Sequence, residues 1–359
     1  MDVSTLGKYR LLKQQISGTS FSSVKNLVSW MGAIQAQDYE MAKWAIGLRV
    51  KGASNRSVGK SIAKGEILRT HLLRPTWHFV AANDIYWLLE LTAPRIKATM
   101  ISRNKQLGLT SKIISRSNSV IEKLLSGGEH FTRDQIRKEL NGSRIKTDGV
   151  NFIHLLLEAE LEGILCSGSP VENKQTYALL SKRVKAGKKI NREAALSKLA
   201  RIYFTSRGPA TVKDFAWWSG LSMGDAIAAT KSLEDGFTNE NAGPNTYWYK
   251  DLPSRFDSKL SGGFLLPAYD EFLISYKDRH AVLPFAHLKK TISDNGLFRP
   301  MIVINGQVVG LWSRSFNRDF LEMEFYFFKP ASKILKGKLR QAIELFGLFY
   351  EKETRIFSR

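Results

Sequence analysis

Cysteine is almost missing: Cys166 is the only one in 359 residues, which excludes an intramolecular disulfide framework and a Cys-rich zinc site. In its context, Gly163-Ile164-Leu165-Cys166, it is expected to pack as a small apolar group on a strand. The six histidines, at 71, 78, 130, 154, 280 and 287, show no His-x3-His or His-carboxylate spacing. No metal and no cofactor are therefore expected. Long apolar runs are absent too: none approaches the ~20 residues needed to span a bilayer. Met1-Asp2-Val3-Ser4-Thr5 does not read as a charged-then-apolar leader, so the expectation is a cytoplasmic chain with no membrane partner. Acid is also scarce. Against 54 Lys+Arg stand 33 Asp+Glu, a formal net charge of +21 with a pI near 9.9. That is more than solubility requires and points to a polyanion, nucleic acid first and a membrane surface second. A 43% hydrophobic chain of this length exceeds one ordinary core and implies several units.

The expected fold class is α+β: three tandem helix-plus-hairpin units, then a strand-rich C-terminal part with a closing helix. In the first unit, 1–95, helical patterns run over Phe21 to Met31, Tyr39 to Val50 and Ser57 to Ile67. Arg69 to Val80 then alternates with period two about a turn near Arg74-Pro75, the signature of a wing. Asn83 or Asp84 is expected to cap the next helix, and Pro94 to end or kink it. The second unit, 96–185, repeats the plan. Its helices run over Leu109 to Leu125, from Thr132 with a capping-box Gln135, and over Asp148 to Leu161, before a strand pair ending at Leu180. The third, 186–252, has an Asn191-capped helix, a helix after Gly208-Pro209-Ala210-Thr211, one from Ser222, and hairpin spacing around Gly243-Pro244. Such units can lay a helix or a wing on a duplex.

From 253 to 359 the pattern turns to strands. They are expected over Gly262 to Pro267, Phe298 to Ile304, Val308 to Ser313 and Leu321 to Phe328, forming a small antiparallel sheet or barrel. Asn305-Gly306 is a type I′ hairpin signal. A closing amphipathic helix is expected over Lys333 to Glu353, with Ile334, Leu335, Leu339, Ile343, Leu345 and Phe346 to bury.

The chain reads as organised around Gly32-Ala33-Ile34-Gln35-Ala36-Gln37-Asp38, where two carboxamides leave the backbone between two helical patterns. Each offers an acceptor oxygen and a donor NH2, so a pair can orient a water near a developing cation. The bland alternative is a pair bonded to backbone or solvent at a helix boundary. Asp38 reads as the cap of the following helix rather than as a base.

Gln35-Ala36-Gln37, the Arg69 to His78 hairpin, Gly208-Pro209-Ala210-Thr211, and Pro267-Ala268-Tyr269-Asp270-Glu271-Phe272-Leu273 with Asp278-Arg279 resemble the winged-helix DNA glycosylases of the AlkZ and YcaQ type. The resemblance runs nearly end to end. It implies three winged helices and a β-barrel-like C-terminal part around a DNA channel, with Gln35 and Gln37 as the catalytic pair. Gln rather than Asp at position 37 resembles the subgroup associated with bulky N7-alkylguanine adducts and interstrand crosslinks. The implied protein is a monomeric, nucleoid-associated repair enzyme acting on damaged or crosslinked double-stranded DNA.

The chemistry is consistent with this. N7 alkylation makes guanine a cationic leaving group, so the difficult step is placing water against an oxocarbenium-like sugar. A lysine nucleophile would signal strand cleavage, but only Lys43 lies near the motif, so a monofunctional hydrolase is expected. The candidate DNA contacts are Arg69, Arg74 at the wing tip, Trp77, His78, Asp270 and Arg279, with His71 and His280 as lesser candidates. Asp270 and Glu271, read as strand neighbours, should face opposite ways. The competing class is a transcriptional regulator or architectural binder without catalysis, which would show sequence preference instead of lesion preference.

Overall fold

The computed structural model describes residues 2–172, 174–233, 236–253, 262–330, 332–333 and 337–357. Helices α1 (Leu6–Lys13), α2 (Val24–Met31), α3 (Tyr39–Gly47) and α4 (Asn55–Ala63) surround strand β1 (Ile34–Gln35) and the hairpin β2 (Ile67–Leu72), β3 (Arg74–Ala81). The long α5 (Ile85–Gln106) leads into α6 (Ser111–Leu124), β4 (Phe131–Thr132), α7 (Arg133–Gly142), α8 (Asn151–Leu161), β5 (Leu165–Ser167), β6 (Thr176–Leu179) and the short α9 (Leu180–Arg183). Then come α10 (Arg192–Arg207), α11 (Val212–Ser219), α12 (Met223–Lys231) and the hairpin β7 (Phe237–Ala242), β8 (Asn245–Lys250).

Short polar side chains set most helix starts. Ser23, Asp38, Thr110, Asn191 and Ser222 each accept a backbone N–H of the following first turn. Ser54 with Ser57, Thr132 with Gln135, and Thr211 with Asp214 close full capping boxes. Ser23 therefore starts α2 three residues later than the apolar pattern suggests, and α3 stops at Gly47, before Val50.

The order helix, strand, helix, helix, hairpin recurs. It gives three-stranded sheets β1-β3-β2 in the first part and β4-β6-β5 in the second. In the third, the Ala210 to Trp248 bridge adds a single residue beside β8.

Three expectations are corrected here. Pro94 does not end α5, which continues to Gln106 with the proline inside it. Trp87, Leu88, Leu91 and Ala93 before the proline, and Ile96 after it, are buried in packed clusters that offset the lost backbone bond. The expected boundary at 95/96 thus falls inside one helix. The β2–β3 hairpin is no exposed wing either. Ile34, Ile67, Phe79 and Ala81 on one face belong to a core shared with the C-terminal sheet. Leu68 and Val80 on the other join α5, α10 and α11. Its turn, at Leu73 (φ 61°), lies under the end of α11, where a Cβ on Gly220 would sit 2.1 Å from the Leu73 carbonyl oxygen. Only glycine fits that approach.

The C-terminal part holds β9 (Gly263–Leu266), α13 (Glu271–Ile274), α14 (Leu288–Thr291), β10 (Met301–Ile304), β11 (Gln307–Phe316), β12 (Phe320–Phe327), α15 (Arg340–Tyr350) and β13 (Glu353–Phe357). Among the described residues these strands form one open sheet, ordered β13-β12-β11-β10-β9. Asn305 and Gly306, both at positive φ, make the expected turn. The third correction is that the expected closing helix gives way after Tyr350 to β13, which pairs parallel with β12. Ile334 and Leu335 lie outside the described residues. Leu339, Ile343 and Phe346 are buried as expected, whereas Leu345 is exposed.

Candidate active site

The two glutamines sit at the junction of the first sheet, α10, α11 and α13, and their environments differ sharply. Gln35, 4% exposed, is the last residue of β1 and lies opposite His78 in the antiparallel ladder. Gln37, two residues on, is exposed. Backbone and side-chain bonds hold the whole stretch. Arg207 donates to the carbonyls of Met31 (2.7 Å) and Ala33 (2.8 Å). The Gln35 N–H donates to Glu271 Oε1 (2.8 Å), Arg69 Nε donates to the Ala36 carbonyl (3.0 Å), and Asp38 caps α3 through the Met41 N–H (3.0 Å). On the side-chain side, Arg74 Nη2 donates to Gln35 Oε1 (2.8 Å).

Glu271 is the hub of this arrangement, although the sequence places only its neighbour Asp270 among the candidate site residues. Its Oε2 accepts from Arg207 Nη2 (2.8 Å), Trp218 Nε1 (3.1 Å) and Ser275 Oγ, and the residue is 1% exposed. Burial alone would raise its carboxyl, but the Arg207 guanidinium and the hydrogen bonds from Ser275 and Gln35 outweigh that and hold it at about 2. The signal was present but faint: Arg207 directly precedes Gly208-Pro209-Ala210-Thr211, and Glu271 lies inside Pro267 to Leu273.

Several expected DNA contacts are corrected. Asp270 is not on a strand but caps α13 through the Phe272 N–H, and it is paired with Arg49 at 2.8 and 2.9 Å in full burial. His78 is 0% exposed. Its Nδ1 lies 2.9 Å from the Thr76 carbonyl, which makes Nδ1 the donor, and burial followed by the Arg74 charge pushes the ring down to about 3. An imidazole in that state is neutral and carries no charge to a phosphate. His71 is buried against Glu160. Arg74 is half-buried, not solvent-facing. Arg69, also half-buried, lies over Trp77 (4.3 Å) and reaches Gln175 (3.0 Å). Arg279 is half-buried between Trp217 (5.4 Å) and Phe298 (5.2 Å). Trp217 itself, its indole N–H on the Ile274 carbonyl (3.0 Å), also faces Arg74 (5.6 Å) and Lys277 (4.9 Å).

Lys43 lies on α3 with its ammonium 3.3 Å from Glu40. Cys166 is buried on β5, its thiol pushed up to about 12 by burial. Among the described residues no group of three His, Cys, Asp or Glu is placed to hold a metal, and no helix is long and apolar enough to cross a membrane.

The buried titrating pair sets an acid limit. Between pH 6.5 and about 3 the unfolded chain binds a proton at His78 that the folded chain refuses, so stability falls as pH drops through that window. Glu271 adds a second loss between 4.5 and about 2, where the unfolded carboxyl protonates before the folded one. In urea unfolding followed from pH 8 to 4, His78→Gln is expected to flatten the decline seen in the parent.

The model of the family described as DNA glycosylase AlkZ-like matches residues 28–349. The chain is 23% identical over 326 residues, 85% of each protein, to the interstrand DNA cross-link repair glycosylase of Streptomyces sahachiroi. Its fold superposes on the Streptomyces sahachiroi DNA glycosylase AlkZ with a TM-score of 0.80 at 20% identity, covering 99% of this chain and 100% of that one. With the match spanning most of its length, this chain belongs to the AlkZ-like family of DNA glycosylases, hydrolases of N-glycosyl bonds.

Proposed function

We propose that the protein is a monofunctional glycosylase that removes N7-alkylguanine bases from duplex DNA, bulky and interstrand-crosslinked adducts included, with Gln35 and Gln37 as its catalytic pair. The observation that carries this is the pairing of a buried, clamped carboxamide with an exposed one two residues later. Water attacks C1′ while the C1′–N9 bond breaks. The bonding electrons pass into the cationic alkylguanine, which leaves neutral, and the water's proton passes to solvent. A preorganised polar pair lowers this barrier by fixing the water and facing the developing charge. Lys43, the lysine nearest the motif in sequence, is held beside Glu40, which disfavours it as a Schiff-base nucleophile.

The repeated helix and hairpin order supports three winged-helix units, near 1–95, 96–185 and 186–252, the first two sharing α5. A C-terminal module follows over 253 to 359. The fold and the +21 charge fit a cytoplasmic monomer working on nucleoid DNA. Of the arginines and aromatics, Arg69, Trp77 and Arg279 remain candidates for the DNA side of the site.

Incubation with duplexes carrying N7-methylguanine or a nitrogen-mustard crosslink, followed by alkaline work-up, should reveal abasic sites and unhooked strands. Duplex affinity should fall steeply with salt, the log-log slope divided by about 0.9 giving the number of phosphates neutralised. Binding with sequence preference and no abasic product would instead assign a regulator.

A further inference from the structure

We propose that Arg74 is a positioning residue that fixes the Gln35 carboxamide with its NH2 outward, so that Gln35 acts as the donor and Gln37 as the acceptor of the pair. This rests on the catalytic reading of the two glutamines given above. A guanidinium is a donor only, and Arg74 Nη2 lies 2.8 Å from the Gln35 carboxamide oxygen. The oxygen must therefore face Arg74, and the flip of the amide is settled by chemistry. Among the described residues Gln35 Nε2 meets no protein acceptor, so its two hydrogens are left for a ligand. Gln37, exposed, keeps an oxygen free to accept.

A water held by a Gln35 N–H on one lone pair and by Gln37 Oε1 on one hydrogen keeps its second lone pair for C1′. Arg74 is held by its surroundings: its guanidinium rests near Trp217, and its Nε is shielded from solvent. The nearby Glu271 carboxylate offsets the cost of burying its charge. With Nη2 on Gln35 and Nε shielded from solvent, less of the guanidinium is left for a phosphate than an exposed arginine offers. Hydrogen-bonding the carbonyl end of an amide to a cation also strengthens its N–H donors, so Arg74 acts on the water through Gln35.

The test uses the full chain as wild type, Arg74→Met, Arg74→Lys, Gln35→Ala and the Arg74→Met, Gln35→Ala double variant. Single-turnover excision at saturating enzyme, duplex Kd and melting temperature are measured on all five. Arg74→Met should slow excision by about 10-fold or more, the scale of weakening one preorganised polar group. Its Kd should change by less than about threefold, a shift small beside the loss of a phosphate contact. Arg74→Lys should recover part of the rate, and in the Gln35→Ala background Arg74→Met should cost almost nothing. An equal cost in both backgrounds, a raised Kd with an unchanged saturating rate, or a rate that only tracks melting temperature would overturn the assignment. Side-chain amide 15N relaxation at Gln35 decides it without activity. The NH2 should be ordered in the wild type and mobile in Arg74→Met, and equal order in both contradicts the role. A wild type that excises nothing would sink the proposed function, while the relaxation result would still judge the inference.

Discussion

Truncating Gln35 to alanine is expected to lower single-turnover excision of N7-methylguanine by on the order of 10²-fold, the scale of losing one preorganised polar group in the transition state. Gln37→Ala should do the same. Duplex affinity should hardly move for either: Gln35 is 4% exposed and contributes little surface to a bound duplex, and the exposed Gln37 carries no charge, so its loss removes no phosphate-neutralising contact. If the two amides hold one water, the double variant should cost less than the sum of the single free energies, as members of a catalytic unit do. The pair should also respond unequally to charge. Gln37→Asp keeps an acceptor and should retain activity, whereas Gln35→Glu loses both N–H donors and places a carboxylate against Arg74, so it should behave like Gln35→Ala. If the glutamines only tie the β1 turn together, activity and melting temperature would fall in step.

The largest expected loss of stability comes from Glu271→Ala. That change leaves the Arg207 guanidinium, 0% exposed, without its carboxylate, and strips acceptors from Trp218 Nε1, Ser275 Oγ and the Gln35 N–H. Breaking one side of a buried pair costs about 3–5 kcal/mol, a large share of the roughly 5–15 kcal/mol that stabilises a typical domain. Urea unfolding should therefore show a strongly reduced midpoint for Glu271→Ala. Glu271→Gln, which keeps acceptor capacity for its neighbours, should lose less. Excision by the folded fraction should also fall, since Glu271 holds the backbone of Gln35. An unfolding midpoint unchanged by Glu271→Ala would remove Glu271 from the centre of the framework.

Local signals in the sequence carried much of the fold. Capping residues such as Asp38, Thr132, Asn191 and Ser222, and the Asn305-Gly306 turn, act within a few residues and could be read directly. Long-range packing could not. The Arg69 to Val80 alternation marks a hairpin correctly, but period two says nothing of what covers each face. Only the assembled chain shows α11 closing over Leu73 and the C-terminal module covering Phe79. As a stop signal Pro94 misleads for the same reason, because burial on both sides keeps α5 continuous. At the site, the motif itself was legible, while its support was not. Arg207 and Glu271 are 64 residues apart, and no spacing rule links them. Arg74 and Asp270 were read as surface groups because charge suggests exposure unless a partner is known, and their partners, Gln35 and Arg49, come from distant segments.

One measurement bears most directly on the catalytic pair. Wild type and the Gln35→Ala, Gln37→Ala double variant are each incubated in excess over a duplex with a single N7-methylguanine, and alkali-labile abasic sites are counted with time. Abasic product is expected from the wild type and almost none from the double variant, at equal duplex affinity and with a cooperative unfolding transition retained. Equal rates of abasic-site formation by the two proteins would contradict that expectation.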